Sequence, residues 1–253
     1  MVILRDQNYP VDGAMLSFDF IRPDGEGPYP LVIFLHGGGW ISGDKTMYRD
    51  EAIWLTGHGF ACACIEYRLA PLYPFPIPVA DCQAFVKFAR EITPVLAIDP
   101  NNITAIGNSA GGHLALMLGL CETSFGEDKG AAERVNAVVD ICGIADMGDP
   151  SDVHYPLAMQ FLEQFMDGGY EGRENVWSAA SPLNYVSQAQ GRFLIIHGAE
   201  DEVVPVTQSR RISEGLSAKG VPCKYVELPG ESHSFSYPAW EKIRFEYLNF
   251  LKG

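Results

Sequence analysis

The stretch ITAIGNSAGGHLALMLGL, residues 103–120, decides the fold of this 253-residue chain. Its first four residues are apolar or β-branched, as in a buried strand, and its end is an apolar run of helical length. Between them lies GNSAG, with a glycine on each side of Ser109 and its neighbours. Glycines there permit a tight strand-to-helix turn, and the helix N-terminus stabilises negative charge that develops beside the serine. The stretch therefore predicts a turn that presents Ser109 as a nucleophile.

Short apolar segments alternate with amphipathic segments along the rest of the chain. Several of the apolar segments are continuous Val, Ile, Leu and Phe runs, which are typical of strands buried on both faces of a parallel sheet. The strands before residue 31 are expected to form an antiparallel edge. The alternation predicts an α/β fold, with a mostly parallel, doubly wound sheet and helices on both faces. The strand candidates are residues 14–21, 31–36, 60–66, 102–106, 135–142, 193–197 and 223–228, and the helix candidates are residues 47–57, 79–92, 109–122, 207–219 and 238–252.

Chain length and one long connection define the predicted domain organisation. A chain of 253 residues can form one α/β domain with a sizeable core, so residues 1–253 are predicted to be a single domain. About 50 residues separate the strand that ends near Cys142 from the strand at Phe193, far more than one helix with its usual ~2–6-residue connections. This insert, residues 143–190, is either an extra helix packed on the body or a small lid that lines an acyl pocket. Its large apolar side chains are Met147, Tyr155, Met159, Phe161, Phe165, Met166, Tyr170 and Trp177.

Composition excludes several classes of function. The net charge is −14, with 32 acidic and 18 basic residues, which argues against nucleic acid because phosphate binding needs clustered Lys and Arg. No window reaches the ~18 consecutive apolar residues of a membrane span, and the N-terminus does not resemble a signal peptide. The six cysteines have neither CxxC nor zinc-site spacing, so reduced thiols and a cytoplasmic location are expected, with a mature secreted form as the alternative. The expected partner is a small molecule, and homodimer formation is left open.

A serine hydroxyl needs a general base, and the histidines beyond Ser109 are the candidates. His233 lies in the polar loop GESHSF, between the segment KYVEL and the last helix. That loop is expected at the C-terminal edge of the sheet, where an imidazole can reach the serine, so His233 is the predicted base. His197 ends a buried strand and is interpreted as structural, and His154 precedes the preferred acid.

The acid that orients the base is predicted in the turn HGAEDEVVP. Asp201 is preferred because a short carboxylate held in a turn suits a fixed hydrogen bond to imidazole. Glu200 and Glu202 are the alternatives, interpreted as solvated loop charges.

Three consecutive glycines follow the buried segment LVIFL. Because such a run is entropically costly, it indicates unusual backbone geometry or a close approach. The N–H groups of Gly38 and Gly39, together with that of Ala110, are predicted to form an oxyanion hole, with Gly37 as an alternative glycine. Trp40 is predicted to bind substrate as a pocket wall, with a place in the core as the alternative. No GK[ST] follows, which disfavours a phosphate-binding loop.

In combination, the motifs resemble those of the hormone-sensitive-lipase-like esterases and the related feruloyl- and acetyl-esterase-like carboxylesterases of the α/β-hydrolase superfamily. The resemblance spans residues 31 to about 236. The matching segments are HGGGW at 36–40, YRLAPLYPFP at 67–76 followed by Asp81, GNSAGGHLA at 107–115, SPLNYV at 181–186, HGAEDEVVPVTQS at 197–209, and ESHSF at 231–235.

The resemblance implies the α/β-hydrolase fold and a Ser-His-Asp triad made of Ser109, His233 and Asp201. It also implies a serine carboxylesterase that acts on small short-chain acyl esters, including acetyl or feruloyl esters of plant sugars, through an acyl-enzyme and without metal or organic cofactor. An aryl formamidase or a small peptidase is the alternative enzyme, because the same triad handles amides. A non-catalytic ligand receptor on the same fold is disfavoured, because all three triad residues are present.

The chain departs from the family pattern in three places. Asn108 stands where an acidic residue is usual, and Leu72 stands where a glutamate is usual. Both positions are expected near the oxyanion loop, where they would alter its support. Only 35 residues precede HGGGW, where larger members carry a helical cap. A more open cleft is therefore expected, with the insert at 143–190 as its lid.

Overall fold

The computed structural model describes residues 1–126, 133–148 and 154–253. Its strands are β1 (Val2–Val11), β2 (Ala14–Arg22), β3 (Tyr29–Leu35), β4 (Ala61–Ile65), β5 (Ile98–Asn108), β6 (Ala137–Ile141), β7 (Arg192–Gly198) and β8 (Cys223–Leu228). Within the described ranges, the strands form one eight-stranded sheet of order β1-β2-β4-β3-β5-β6-β7-β8. β2 pairs antiparallel with both β1 and β4, and all later neighbours are parallel. The predicted antiparallel edge and mostly parallel sheet are confirmed.

Helices cover both faces of the sheet. They are α1 (Arg49–Thr56), α2 (Ile77–Glu91), α3 (Thr93–Leu96), α4 (Ala110–Leu120), α5 (Pro156–Phe165), α6 (Glu174–Ala179), α7 (Thr207–Ala218) and α8 (Tyr237–Lys252), with short 3₁₀ helices at Lys45–Tyr48 and Pro182–Gln188. Helices α2, α4, α5, α6 and α7 pack into one apolar cluster, and α1 and α8 pack into another. None of these helices has the length and apolar composition needed to cross a bilayer.

Strand β3 shows why the central strands are continuous apolar runs. Leu31, Ile33 and Leu35 point to the cluster under α2 and α4, while Val32 and Phe34 point to the cluster under α1 and α8. All five side chains are at most 1% exposed. A parallel strand covered by helices on both faces therefore needs apolar residues at every position.

Strand β1 was not among the strand candidates, and its residues explain why. Most of its side chains are exposed, so it carries no apolar alternation. Its pairing with β2 shifts register between Leu4 and Gln7, and Asp6 has a φ of 51°. A bulge in a half-exposed edge strand removes the two-residue period by which strands are recognised.

The described part of the insert packs against the body of the molecule. Met147, Phe165, Met166 and Trp177 are completely buried in the larger apolar cluster. This favours the extra packed layer over a loose cover. Residues 149–153 of the insert lie outside the described residues, so the lid, like the single-domain boundary, stays a prediction.

Candidate active site

Ser109 lies on the turn between β5 and α4, with φ 54° and ψ −120°. This backbone conformation is rare for a residue with a side chain. Two glycines permit it: a Cβ on Gly107 would lie 2.2 Å from the carbonyl oxygen of Gly111, and one on Gly111 would lie 2.1 Å from that of Leu35. The first turn of α4 therefore packs directly on the ends of β5 and β3, with Ser109 at its N-terminus.

The structure brings the three predicted triad residues together. The Oγ atom of Ser109 lies 3.1 Å from Nε2 of His233, and Nδ1 of His233 lies 2.7 Å from Oδ2 of Asp201. Asp201 follows β7 and His233 follows β8, so both loops lie at the carboxyl edge of the sheet, beside the turn of Ser109. Ser109 can donate to Nε2 while Nδ1–H donates to the carboxylate, which is the arrangement that a general base requires.

The carboxylate of Asp201 accepts hydrogen bonds at both oxygens. The amides of Val203 and Val204 donate to Oδ1 over 2.8 and 2.7 Å. His197 places Nε2 3.1 Å from Oδ2, the oxygen that also contacts His233. Burial acts to raise the pKa of Asp201, but the hydrogen bonds from His197, His233 and the Val204 amide outweigh it and hold that pKa well below its usual range. Asp201 therefore stays ionised.

The other acid and base candidates are not among the three residues that link Ser109 to Asp201. Glu200 and Glu202 are exposed, as expected of solvated loop charges. Burial lowers the pKa of His154 to about 4. His197 is completely buried, as its structural interpretation implied, but its contact with Asp201 was not foreseen. The four-residue spacing of His197 and Asp201 across a strand end was the signal available in the sequence.

The predicted oxyanion loop is a tight turn. Gly38 has a φ of 111°, and a Cβ there would lie 2.3 Å from the carbonyl oxygen of Ser42. The carbonyl oxygen of Gly38 accepts from the amides of Ile41 and Ser42 over 3.2 and 3.1 Å. Within the described residues, the N–H groups of Gly38, Gly39 and Ala110 donate to no protein acceptor. They remain available to a substrate oxygen, and their role stays a prediction.

Asn108 supports this loop from below. Its Oδ1 accepts a hydrogen bond from the Tyr48 hydroxyl over 2.9 Å. A Cβ on Gly37 would lie 3.0 Å from its Nδ2, so the Asn108 amide packs directly against the loop. The second departure from the family pattern has no such role, because the side chain of Leu72 is 77% exposed.

Trp40 lies in the core, which favours that alternative over a pocket wall that binds substrate. Its side chain is 1% exposed. The indole stacks on Phe165 of α5, with ring centroids 4.3 Å apart, and its Nε1–H donates to Nδ1 of His113 over 3.2 Å. Burial lowers the pKa of His113 to about 4, so the ring is neutral and can accept this bond. The packed insert therefore turns Trp40 inward, where it anchors the oxyanion loop.

A cavity of about 280 Å³ lies between α1 and α8, beside Asn108. Its walls are mostly apolar or aromatic and include the Glu51–Arg244 ion pair. The lining residues are Met47, Tyr48, Glu51, Asn108, Tyr237, Trp240 and Arg244. A cavity of about 360 Å³ near Asp81 includes no triad residue. No triad residue lines the cavity beside Asn108 either, but Asn108 directly precedes Ser109 in the chain.

One group of side chains in the described residues has the spacing of metal ligands. Ligand atoms of Cys142, Asp201 and His233 lie within 4.8 Å of one another. Burial raises the pKa of the Cys142 thiol well above its usual value, so the thiol stays protonated and is a poor ligand. Asp201 and His233 already bond to each other, so the group fits proton transfer better than metal binding.

In sequence, the chain is similar to curated proteins that are named esterases. Esterase LipC of Mycobacterium tuberculosis is 33% identical over 215 residues, which are 82% of this chain and 53% of LipC. The chain spans about half the length of the curated relatives it matches.

Solved structures agree on the architecture. The propionate-bound esterase Est2 of Thermogutta terrifontis superposes with a TM-score of 0.81 at 22% identity, covering 99% of this chain and 93% of that one. A truncated carbohydrate esterase from gut microbiota superposes with a TM-score of 0.78 at 24% identity, covering 100% of this chain and 97% of that one. The fold is thus the α/β-hydrolase fold that the motifs implied. The BD-FAE family model matches residues 18–216, which is most of the sequence, and the chain therefore belongs to the BD-FAE family.

Proposed function

We propose that this protein is a serine carboxylesterase that hydrolyses small, short-chain acyl esters. The observation that carries the proposal is the unbroken hydrogen-bond chain from Ser109 Oγ through His233 to Asp201, over 3.1 and 2.7 Å. The family and the relatives that are named esterases support the same chemistry.

In this proposal the reaction has two half-reactions. Ser109 Oγ attacks the ester carbonyl while Nε2 of His233 takes its proton, and Asp201 stabilises the resulting imidazolium. The negative oxygen of the tetrahedral intermediate accepts hydrogen bonds from the oxyanion-loop amides and from Ala110. His233 then returns the proton to the leaving alcohol, and water repeats the attack on the acyl-enzyme. Each proton remains on residues of this chain or on substrate, so the scheme invokes no cofactor.

Short acyl chains are proposed because the cavity lined by Asn108, the residue before the nucleophile, is small. The cavity next to Asn108 measures about 280 Å³, which suits a small acyl or aromatic group better than a long lipid chain. The Est2 structure, which shares the fold, has propionate bound. Acetyl or feruloyl esters of plant sugars are the natural substrates we propose, in line with the gut carbohydrate esterase of the same fold.

A chain-length series of p-nitrophenyl esters from C2 to C12 tests the proposal. We expect hydrolysis to peak between C2 and C4, and Ser109→Ala to lower kcat by on the order of a million-fold, as in a dissected protease triad. A peak at C8 or longer would contradict the short-chain substrate. Turnover retained in Ser109→Ala would contradict the nucleophile, and no turnover of any ester would favour amide substrates instead.

A further inference from the structure

Asp201 is contacted by a second histidine, which the proposed reaction does not use. Nε2 of His197 lies 3.1 Å from Oδ2 of Asp201, and Nδ1 of His233 lies 2.7 Å from the same oxygen. His197 is completely buried at the end of β7, so it cannot touch substrate. Any effect it has on the reaction must pass through Asp201.

Its partners determine the tautomer of the His197 ring. Nε2 also lies 3.0 Å from the carbonyl oxygen of Val204. Because that oxygen and the Asp201 carboxylate both only accept, Nε2 must carry the hydrogen. Nδ1 lies 2.7 Å from Oγ of Ser209 on α7 and can accept the hydroxyl hydrogen there. Ser209 therefore holds His197 in the tautomer whose Nε2–H donates to the Val204 carbonyl oxygen and is shared with Oδ2 of Asp201.

We propose that His197, fixed by Ser209, is a positioning residue that orients the Asp201 carboxylate and limits the negative charge it offers to His233. The inference rests on the proposed hydrolase function. With the Val203 and Val204 amides on Oδ1 and two imidazoles on Oδ2, the carboxylate has donors at both oxygens and cannot rotate without losing several bonds. Its pKa, held low by these donors despite burial, agrees with this arrangement.

Removal of His197 has two separable consequences. Without the His197 donor, Oδ2 interacts more strongly with His233. This interaction stabilises the imidazolium, so His233 keeps its proton to higher pH. Asp201 also loses one of the bonds that hold its orientation, which lowers kcat. KM changes little, because His197 is buried away from substrate.

Other titratable groups lie near His197, Asp201 and His233, and their titration must be distinguished from that of His233. Asp140 on β6 and Glu227 on β8 both interact electrostatically with His197. The buried Cys142 thiol faces Asp201, and Glu202 lies 3.4 Å from the His233 amide. Burial raises the pKa of Asp140 to about 7, within the range of interest. The measurements are therefore repeated in an Asp140→Asn background.

The test compares His197→Leu, which removes the donor, with His197→Gln, which keeps an N–H donor at similar reach. We expect His197→Leu to lower kcat by roughly 10- to 100-fold, the range for one hydrogen bond to a charged group. We expect the acid limb of its pH–rate profile to move up by about half a pH unit or more, and His197→Gln to restore most of both. Ser209→Ala should shift the limb in the same direction by less. Ser213→Ala is the matched control, since its hydroxyl donates to the backbone carbonyl of Ser209 on the same helix.

The role is wrong if folded His197→Leu leaves the acid limb unmoved and His197→Gln performs no better. If His197→Leu does not fold, equal pH profiles for Ser209→Ala and Ser213→Ala overturn the proposal. An NMR titration of the His233 ring in substrate-free protein separates this outcome from failure of the proposed function. A higher titration midpoint in His197→Leu supports the positioning role even if no ester is hydrolysed, and an unchanged midpoint contradicts it.

Discussion

Asp201 and Asp140 are buried carboxylates whose pKa values shift in opposite directions. Hydrogen bonds reach both oxygens of Asp201 and lower its pKa, although burial acts the other way. Oδ1 of Asp140 accepts from the Gly143 amide over 2.9 Å, while its Oδ2 has no partner among the described residues. Burial therefore dominates at Asp140 and raises its pKa to about 7. The number of donors, rather than depth alone, decides which buried acid is charged.

Asp140 makes stability fall as pH rises. Its pKa is raised from 3.8 to about 7 on folding, so between these values the folded protein holds a proton that the unfolded chain has lost. The stabilising contribution is complete below the unfolded pKa and is lost as pH rises through the folded one, at up to about 1.4 kcal/mol per pH unit. We expect Asp140→Asn to raise Tm relative to wild type by more at pH 8 than at pH 5. Thermal unfolding at both pH values checks this.

Only the change in this Tm difference between pH 5 and pH 8 matters. Any effect of the amide on Tm that does not depend on pH therefore cancels. A gap in Tm that is the same at pH 5 and pH 8 would show that Asp140 does not titrate differently in the folded protein.

Side-chain roles set by local sequence could be predicted, and those set by distant partners could not. The turn at Ser109 follows from glycines on either side of it, so the motif alone locates the candidate nucleophile. The direction of Trp40 depends on Phe165, which lies in the insert far along the chain. The contact of His197 with Asp201 depends on how the chain turns after β7. The first contact has no signal in the local sequence, and the second has only the four-residue spacing of its two residues.

Among the elements, α5 of the insert packs against the predicted oxyanion loop. Phe165 stacks on Trp40, and its carbonyl oxygen accepts from the Phe75 amide over 2.7 Å. A Cβ on Gly39 would lie 2.8 Å from the ring of Phe161, so this ring packs against the loop itself. The loop therefore owes its position to a helix that is distant in sequence.

Truncation of Phe165 should weaken both the fold and the reaction. We expect Phe165→Ala to lower the free energy of unfolding by about 3–5 kcal/mol, the usual range for a buried phenylalanine. We also expect kcat to fall by more than the loss of folded protein explains, because Trp40 loses its stacking partner. Denaturant titration together with ester hydrolysis below the unfolding transition measures both.

Leu157→Ala on the same helix is the control, since Leu157 is 47% exposed and should leave both quantities nearly unchanged. Phe165→Ala with wild-type kcat would show that α5 does not position the loop.

Central strands could be predicted as elements more readily than edges. The runs that became β3, β4 and β7 are buried on both faces, so their composition alone marks them. β5 begins at Ile98, four residues before the expected start at 102, because Ile98 and Asp99 pair with Tyr29 and Pro30. Such pairing is a tertiary contact that composition does not report.

Across the whole molecule, the cysteines act as small apolar residues. Cys62, Cys64, Cys82, Cys121 and Cys142 are buried, Cys223 is half-buried, and all six are free thiols. Burial raises the pKa of Cys62 to about 12 and that of Cys223 to about 11, which suppresses the reactive thiolate.

We therefore expect a thiol reagent such as Ellman's reagent to modify at most Cys223 in the native protein. All six thiols should react in denaturant without reductant. Fewer than six in denaturant would reveal a disulfide, and rapid reaction of several in the native state would mean that the core opens readily.

We infer that His233 and Asp201 activate Ser109 as a nucleophile. Its most direct test is covalent labelling by a fluorophosphonate, followed by mass spectrometry of the labelled peptide, in wild type, Ser109→Ala and His233→Ala. We predict one label per chain, on the peptide that contains Ser109, with none in Ser109→Ala and strongly slowed labelling in His233→Ala. Label on another peptide, or equal labelling rates in wild type and His233→Ala, would contradict it.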